Sequence, residues 1–221
     1  MLTALKVVVV IPAYNEAPVI RGVVEGVRAL GYDVLVVDDG STDGTVRELR
    51  AIGANYFRQL KNQGVGAALS AGVSSASCYQ EADIIVTFDA DSQMNPADIA
   101  PAIAALDGCD LVSGSRFLGS VTNMPWHRWL LLKLVQFAMF VLTGQNITDV
   151  CCGLKAFRPA AFKIRSHRMA WAAELCWRNR GRIKEVPVSV KYTDYSLRKG
   201  QRSRDAVKVG AELVRSLKGD V

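Results

Sequence analysis

The sequence predicts an α/β fold built on an open, largely parallel sheet with helices on both faces. Three observations predict it. Short β-branched runs alternate with segments of helical periodicity, the runs are apolar throughout rather than at every second position, and acidic clusters sit where two of them end. Continuous apolar strands are what burial on both faces demands. Ligands of such sheets collect at the carboxyl ends of the strands.

Residues 7–11 (VVVVI) form the first strand, with Pro12 as its end. Apolar positions Val19, Ile20, Val23, Val24, Val27 and Leu30 then recur at helical spacing. DVLVVD at 33–38 is a second strand, followed by a helix near 44–52. ADIIVTFD at 82–89 is another, and Asn95 with Pro96 marks the start of the helix behind it. After LVSGSRF at 111–117 the regular alternation lapses. An excursion runs through Trp126, His127 and Arg128 into the apolar stretch WLLLKLVQFAMFVLT at 129–143, and a last strand, RIKEVPVSVKY at 182–192, precedes a basic tail. The boundary falls near residue 117, between lobes 1–117 and 118–221 of one domain.

A chain of 221 residues, half of them apolar, suffices for one well-buried domain. The net charge of +6 and a pI near 9.2 favour anionic partners. The basic residues cluster without stacking aromatics apart from Tyr192 and Tyr195, which disfavours nucleic acid. Five cysteines without a CxxC pair, and only His127 and His167 to join them, argue against a zinc site or disulfide framework. The N-terminal apolar run is short, lacks a small-residue cleavage site and leads into a turn, so a buried strand and a cytoplasmic protein are expected. No stretch reaches the ~20 uninterrupted apolar residues of a spanning helix; Lys133 and Gln136 interrupt the nearest candidate.

Two sequence-distant acidic clusters close strands and therefore face one crevice. Asp89 and Asp91 in DADSQ, with the amide oxygen of Gln93 beyond them, offer a partial oxygen shell to a hard divalent cation and leave room for phosphate oxygens and water. Such a cation neutralises charge on a departing diphosphate. DADSQ alone also reads as a polar turn. Asp38 and Asp39 in DDGSTDGT can accept hydrogen bonds from a base or ribose, while Ser41 or Asp43 there reads equally as a helix cap.

IPAYNE, VVDDGSTDGT, NQGVGAAL, FDADSQ and GSRF, in this order and spacing, resemble the family 2 glycosyltransferases of GT-A fold. NITDVCCGLKAFRP, MAWAAEL, EVPVSVKYTDYS and KGQRSR extend the likeness to the polyprenyl-phosphate (dolichyl-phosphate type) hexosyl synthases of that family, over nearly the whole chain. The resemblance implies a GT-A type open, mainly parallel twisted sheet with a smaller acceptor-side excursion. It also implies that Pro12, Tyr14, Glu16, Asp38 and Asp39 bind the nucleoside of a nucleoside-diphosphate sugar in the first lobe, with Asp89, Asp91 and Gln93 on Mg2+ or Mn2+ and the diphosphate.

A lipid phosphate is an ionised nucleophile at neutral pH, so its transfer needs positioning of two anions more than proton abstraction. Arg116, Arg128, Arg198, Lys199, Arg202 and Arg204 are the candidates to clamp them; Arg116, Arg128 and Arg202 sit at motif-matched positions, while Arg198 and Arg204 read as surface charges. Asp149 stands where related enzymes keep an acid that orients the acceptor or acts as a base, and it reads equally as a turn residue. Glu174 faces the acceptor or solvent; His167 reads as structural. The chain departs from the synthases at Cys151 and Cys152, where Ser or Thr is common, and at Leu132, where a serine is expected.

The expected activity is inverting, metal-dependent hexose transfer from a nucleoside-diphosphate sugar to a polyprenyl phosphate at the inner face of the cell membrane. The alternatives are a family 2 enzyme with a saccharide acceptor and a non-catalytic basic module for membranes or nucleic acid. The absence of a Gly-rich loop after the first strand disfavours a nucleotidyltransferase. The stretch 126–143 reads as an interfacial helix that admits a lipid chain, or as an ordinary buried helix. The missing anchor motivates a small membrane partner.

Overall fold

The computed structural model describes residues 5–199. Its strands are β1 (Val7–Ala13), β2 (Asp33–Asp38), β3 (Tyr56–Arg58), β4 (Ile84–Thr87), β5 (Leu111–Thr122), β6 (Lys155–Phe157) and β7 (Ile183–Lys191). Between them run helices α1 (Ile20–Arg28), α2 (Thr45–Ala51), α3 (Val65–Cys78), α4 (Ile99–Ala104), α5 (Trp126–Thr143), α6 (Trp171–Arg178) and α7 (Asp194–Lys199). All strands join one sheet in the order β3-β2-β1-β4-β6-β5-β7. The pairs β1–β2, β1–β4, β2–β3 and β5–β7 are parallel, and β6 runs antiparallel to both β4 and β5. The sheet is mainly parallel, as expected.

Successive strand residues point to opposite faces, and both faces are covered. Val9, Ile11, Val34 and Val36 pack with Ile20, Val23, Val24 and Val27 of α1, Leu49 of α2 and Ile99 of α4. Val8, Val10, Leu35 and Val37 pack with Ala68, Leu69 and Val73 of α3 and with Trp171 and Leu175 of α6. This explains why the strands read as unbroken apolar runs.

Three elements depart from the sequence expectation. β1 continues through Pro12 to Ala13, paired with Val37 and Asp38 of β2. Its ladder with β4 stops at Val10, so Pro12 lies where β1 has one neighbour and its missing N–H breaks no second ladder. α3 carries no clear apolar stripe because it is built of Gly, Ala and Ser for a close approach. A Cβ on Gly72 would stand 2.5 Å from Val10 Cγ1 and 2.9 Å from Val37 Cγ2. β6 is three residues long, too short for any periodicity, yet it bridges the two parallel blocks of the sheet.

Candidate active site

Three adjacent parallel strands, β2, β1 and β4, end at one edge, which brings the turns after them together. Asp39 N–H donates to Ala13 O at 2.8 Å, and Phe88 N–H to Val10 O at 3.1 Å. The IPAYNE turn is fixed to DDGSTDGT by side chains. Asn15 N–H donates to Ser41 Oγ and Glu16 N–H to Thr45 Oγ1, both at 2.8 Å, while Asn15 Oδ1 accepts from Thr42 N at 2.8 Å.

The two carboxylates of DDGS differ. Asp39 is 3 % exposed, and its oxygens accept the backbone N–H groups of Gln63 and Gly64, each at 2.8 Å, so it orders the NQG turn. Asp38 is fully buried; Oδ1 accepts from Ser41 N at 3.3 Å. Its Oδ2 lies 3.1 Å from Arg58 Nε as an ion pair, but no hydrogen-bond donor among the described residues is aligned with it. Arg58 also donates to Ser41 O at 2.6 Å.

Asp89 and Asp91 are both half-buried just beyond β4. Burial raises the Asp89 carboxyl above the ordinary range, and neighbouring Asp91 adds to it, against the fields of Arg116 and Lys155. Burial also raises Asp91; the Gln93 N–H at 3.2 Å from its Oδ1 pulls the other way and the charge of Glu16 raises it again. Neither forms an ion pair among the described residues. Asp89 rests directly on the backbone of Gly153, where a Cβ would stand 2.2 Å from Oδ2 and 2.3 Å from Oδ1. A pair of carboxylates crowded together without a contacting cation fits a divalent ion. The described residues gather no cluster of three or more His, Cys, Asp or Glu, so further oxygens would come from Gln93 and from a bound ligand.

Facing this acidic pair stand cations. Arg116, at the end of the regular part of β5, grips Asp149 with Nε to Oδ2 at 2.5 Å and Nη2 to Oδ1 at 2.7 Å, and its N–H donates to Oδ2 at 3.0 Å. Asp149 is 1 % exposed and is itself held where Glu185 accepts its N–H and that of Thr148. Its carboxylate is engaged in holding an arginine. Arg116 Nη1 donates to the Tyr192 hydroxyl at 2.9 Å, and the Arg128 guanidinium lies over the same ring, 5.2 Å from its centroid. Tyr192, 1 % exposed, thus spaces the two guanidiniums. Their fields reach the acidic pair: Arg116 lowers Asp89 and Arg128 lowers Asp91.

The other candidates lie as follows. Pro12 is half-buried in β1, and Tyr14 is exposed at the crevice rim. Glu16, 8 % exposed, receives the Tyr195 hydroxyl and the Lys199 ammonium of α7, each at 2.7 Å. Glu174 does not face solvent; it is fully buried, accepts the N–H groups of Arg165 and Ser166 and pairs with Arg178 at 2.8 Å. Arg202 lies outside the described residues. Tyr192, Tyr195, Lys199, Gly153 and Arg58 are the site neighbours that motif reading did not single out for these roles.

The 126–143 stretch is one helix, α5, and it is not an ordinary buried one. Trp126, Trp129, Leu130, Leu134, Phe137, Phe140 and Val141 are exposed on it, Trp126 by 76 % and Phe137 by 67 %, while Met139 turns into the core. Lys133 lies 3.7 Å over the Phe117 ring. Among the described residues no helix is long and apolar enough to cross a membrane.

Comparison with known proteins agrees with this geometry. The profile of the family described as "Glycosyl transferase family 2" matches residues 8–165. The chain is 32% identical to the UDP-N-acetylglucosamine–dolichyl-phosphate N-acetylglucosaminyltransferase of Methanococcus voltae, covering 96% of each chain. It is 31% identical to the polyprenol monophosphomannose synthase of Mycolicibacterium smegmatis, over 91% of this chain and 84% of that protein. In fold it is similar to glucosyl-3-phosphoglycerate synthase from Mycobacterium tuberculosis, crystallised with Mn2+, UDP and glucosyl-3-phosphoglycerate. The TM-score is 0.73 at 19% identity, over 97% of this chain and 79% of that one, which bears out the GT-A sheet.

Proposed function

The chain belongs to glycosyl transferase family 2 and is a glycosyltransferase, and from that premise we propose that it moves a hexose from a nucleoside-diphosphate sugar to a polyprenyl phosphate with inversion. The observation that carries this reading is the opposition of the acidic pair Asp89 and Asp91 to the Tyr192-spaced pair Arg116 and Arg128. The names of the two relatives support this reading, one carrying dolichyl phosphate and the other polyprenol monophosphomannose.

The donor half of the reading places the nucleoside over Pro12, Tyr14 and the Asp38 turn; Glu16, which the resemblance also assigned to the nucleoside, has both oxygens engaged by Tyr195 and Lys199 and is given no contact with it. The Oδ2 of Asp38, ion-paired with Arg58 but without an aligned hydrogen-bond donor, suits a base or ribose donor, since a buried acceptor lacking a hydrogen bond is costly. Asp39 acts there by shaping the NQG turn. Asp89, Asp91 and the Gln93 amide oxygen would hold Mg2+ or Mn2+ together with diphosphate oxygens. The ion would supply neutralisation of the charge left on the departing diphosphate.

Arg116 and Arg128 hold the acceptor phosphate, and Arg202 of the basic tail joins them in this proposal. A phosphate oxygen attacks the anomeric carbon as the bond from that carbon to the diphosphate oxygen breaks, in one displacement. The nucleophile arrives ionised, so no side chain has to take a proton, and Asp149 is free to act as the fixed counter-charge that aims Arg116. In this reading lobe 1–117 carries the direct donor contacts, and Arg116 at its end joins Arg128 and Arg202 of lobe 118–221 on the acceptor.

The exposed face of α5 is proposed to rest on the cytoplasmic membrane surface, where the polyprenyl chain is dissolved. Tryptophans at one end and a phenylalanine-leucine stripe along it suit burial at the headgroup boundary, with anionic lipids attracting the basic chain. Such a face would let the chain reach its lipid without a separate membrane partner. The deciding experiment offers labelled UDP- and GDP-sugars with a polyprenyl phosphate and Mg2+ or Mn2+ and reads label in the organic phase. Metal-dependent transfer from one of them is expected. Turnover only onto soluble saccharides would overturn the acceptor assignment.

A further inference from the structure

Helix α7 reaches back across 180 positions to the IPAYNE turn. Lys199 Nζ donates to Tyr14 O at 2.7 Å and to Asn15 O, and it forms an ion pair with Glu16 Oε1 at 2.7 Å. One turn earlier, the Tyr195 hydroxyl donates to Glu16 Oε2 at 2.7 Å. The four-residue spacing places both groups on one side of the helix. Asn15 takes a left-handed conformation with φ 57°, and the turn offers its carbonyls side by side to the ammonium. The ammonium of Lys199 is therefore engaged at three points of the turn, with the Tyr195 hydroxyl 3.4 Å away as a fourth contact.

Glu16 belongs to the same negative crevice as the two carboxylates after β4. Its charge raises both Asp89 and Asp91, and Lys199 offsets it at Asp91. Burial and then the bond to Glu16 push the Tyr195 phenol upward, which keeps it a hydrogen-bond donor at any physiological pH. An entering diphosphate is itself an anion, so a third uncompensated carboxylate beside it would oppose binding.

We propose that Lys199 and Tyr195 are positioning residues for the nucleotide donor, acting through Glu16, whose carboxylate they neutralise and hold so that the crevice accepts a diphosphate. This rests on the donor reading above. It gives α7 a task distinct from that of the arginines in the tail: it sets the charge of the donor side and does not touch the donor.

Rescue tests it. Affinity for UDP and for GDP, each with Mn2+, is measured by calorimetry for the unaltered chain, Lys199→Met, Tyr195→Phe and the double variant Lys199→Met with Glu16→Gln. Lys199→Met is expected to weaken the bound nucleotide by about tenfold and Tyr195→Phe by about threefold, while the double variant returns to within about threefold of the unaltered chain. A double variant as weak as Lys199→Met, or weaker, overturns the proposal, because the lysine would then touch the diphosphate or merely support the fold. Unchanged affinity in Lys199→Met overturns it too while leaving the donor reading intact. No nucleotide binding by the unaltered chain overturns both.

Discussion

Arg116 and Asp149, 33 positions apart, meet in a two-point ion pair whose aspartate side chain is sealed from solvent and whose arginine side chain is 11% exposed. Removing one charge of such a pair strands the other. Asp149→Asn is therefore expected to cost about 3–5 kcal/mol in urea unfolding and to lower transfer at least tenfold, roughly, by freeing Arg116 from its orientation. A stability loss below about 1 kcal/mol would show that the pair is not held in solution.

The raised carboxyls of Asp89 and Asp91 make a signed prediction. Groups that bind protons more tightly in the folded chain add stability at low pH and lose it as pH rises through their raised range. In the metal-free chain, Asp89→Asn with Asp91→Asn should thus raise the melting temperature more at about pH 8 than at about pH 5, by roughly 2–4 °C. Mn2+ should reverse the order by stabilising only the unaltered chain. Equal shifts at both pH values would mean that the two carboxylates are well solvated.

Gly153 supplies the floor on which Asp89 lies. Gly153→Ala forces a methyl group into that carboxylate, so Mn2+ affinity in the presence of UDP or GDP should fall by at least roughly tenfold, with a stability change of about 1–3 kcal/mol. Calorimetry beside a thermal melt separates the two effects. Undiminished metal affinity would show that Asp89 shifts freely and does not depend on this contact.

The α5 face predicts membrane affinity. Trp126→Ala with Phe137→Asp removes two of its most exposed large apolar side chains, each worth about 1.5–3 kcal/mol when buried in an apolar phase. Sedimentation with vesicles of anionic phospholipid should show at least roughly tenfold weaker binding, while activity on a short, soluble acceptor stays. Binding unaffected by the double change would place the membrane contact elsewhere.

The sequence reading was strongest where one physical signal dominates. β2 matches its expected span of 33–38 because five of its six residues are buried together on both faces. Placing Asp38, Asp89 and Asp91 at strand ends needed only the alternation of elements. What escaped was set by tertiary contact. α3 has no readable stripe because Gly72 is selected by its distance to Val10 and Val37, and β6 is too short to show a period. Glu174 could not be assigned from a helix pattern, since its partners Arg165 and Ser166 come from a loop. Arg116, Arg128 and Asp149 were legible as residues, but not that Asp149 serves Arg116, nor that Tyr192 stands between the arginines. The clasp on Glu16 was hidden for the same reason, as Lys199 reads in sequence as a candidate phosphate clamp and not as the partner of Glu16.

The stretch from Asp149 to Phe157 ties the aim of Arg116, the floor under Asp89 and the bridging strand β6 into nine consecutive residues. The proposed donor and acceptor sides therefore share one keystone. Chimaeras that graft the second half of a relative onto this first half must carry a matching keystone, or the imported acceptor side will misplace a donor-side carboxylate. Drift in acceptor choice is channelled accordingly toward α5 and the tail, where change leaves the keystone untouched.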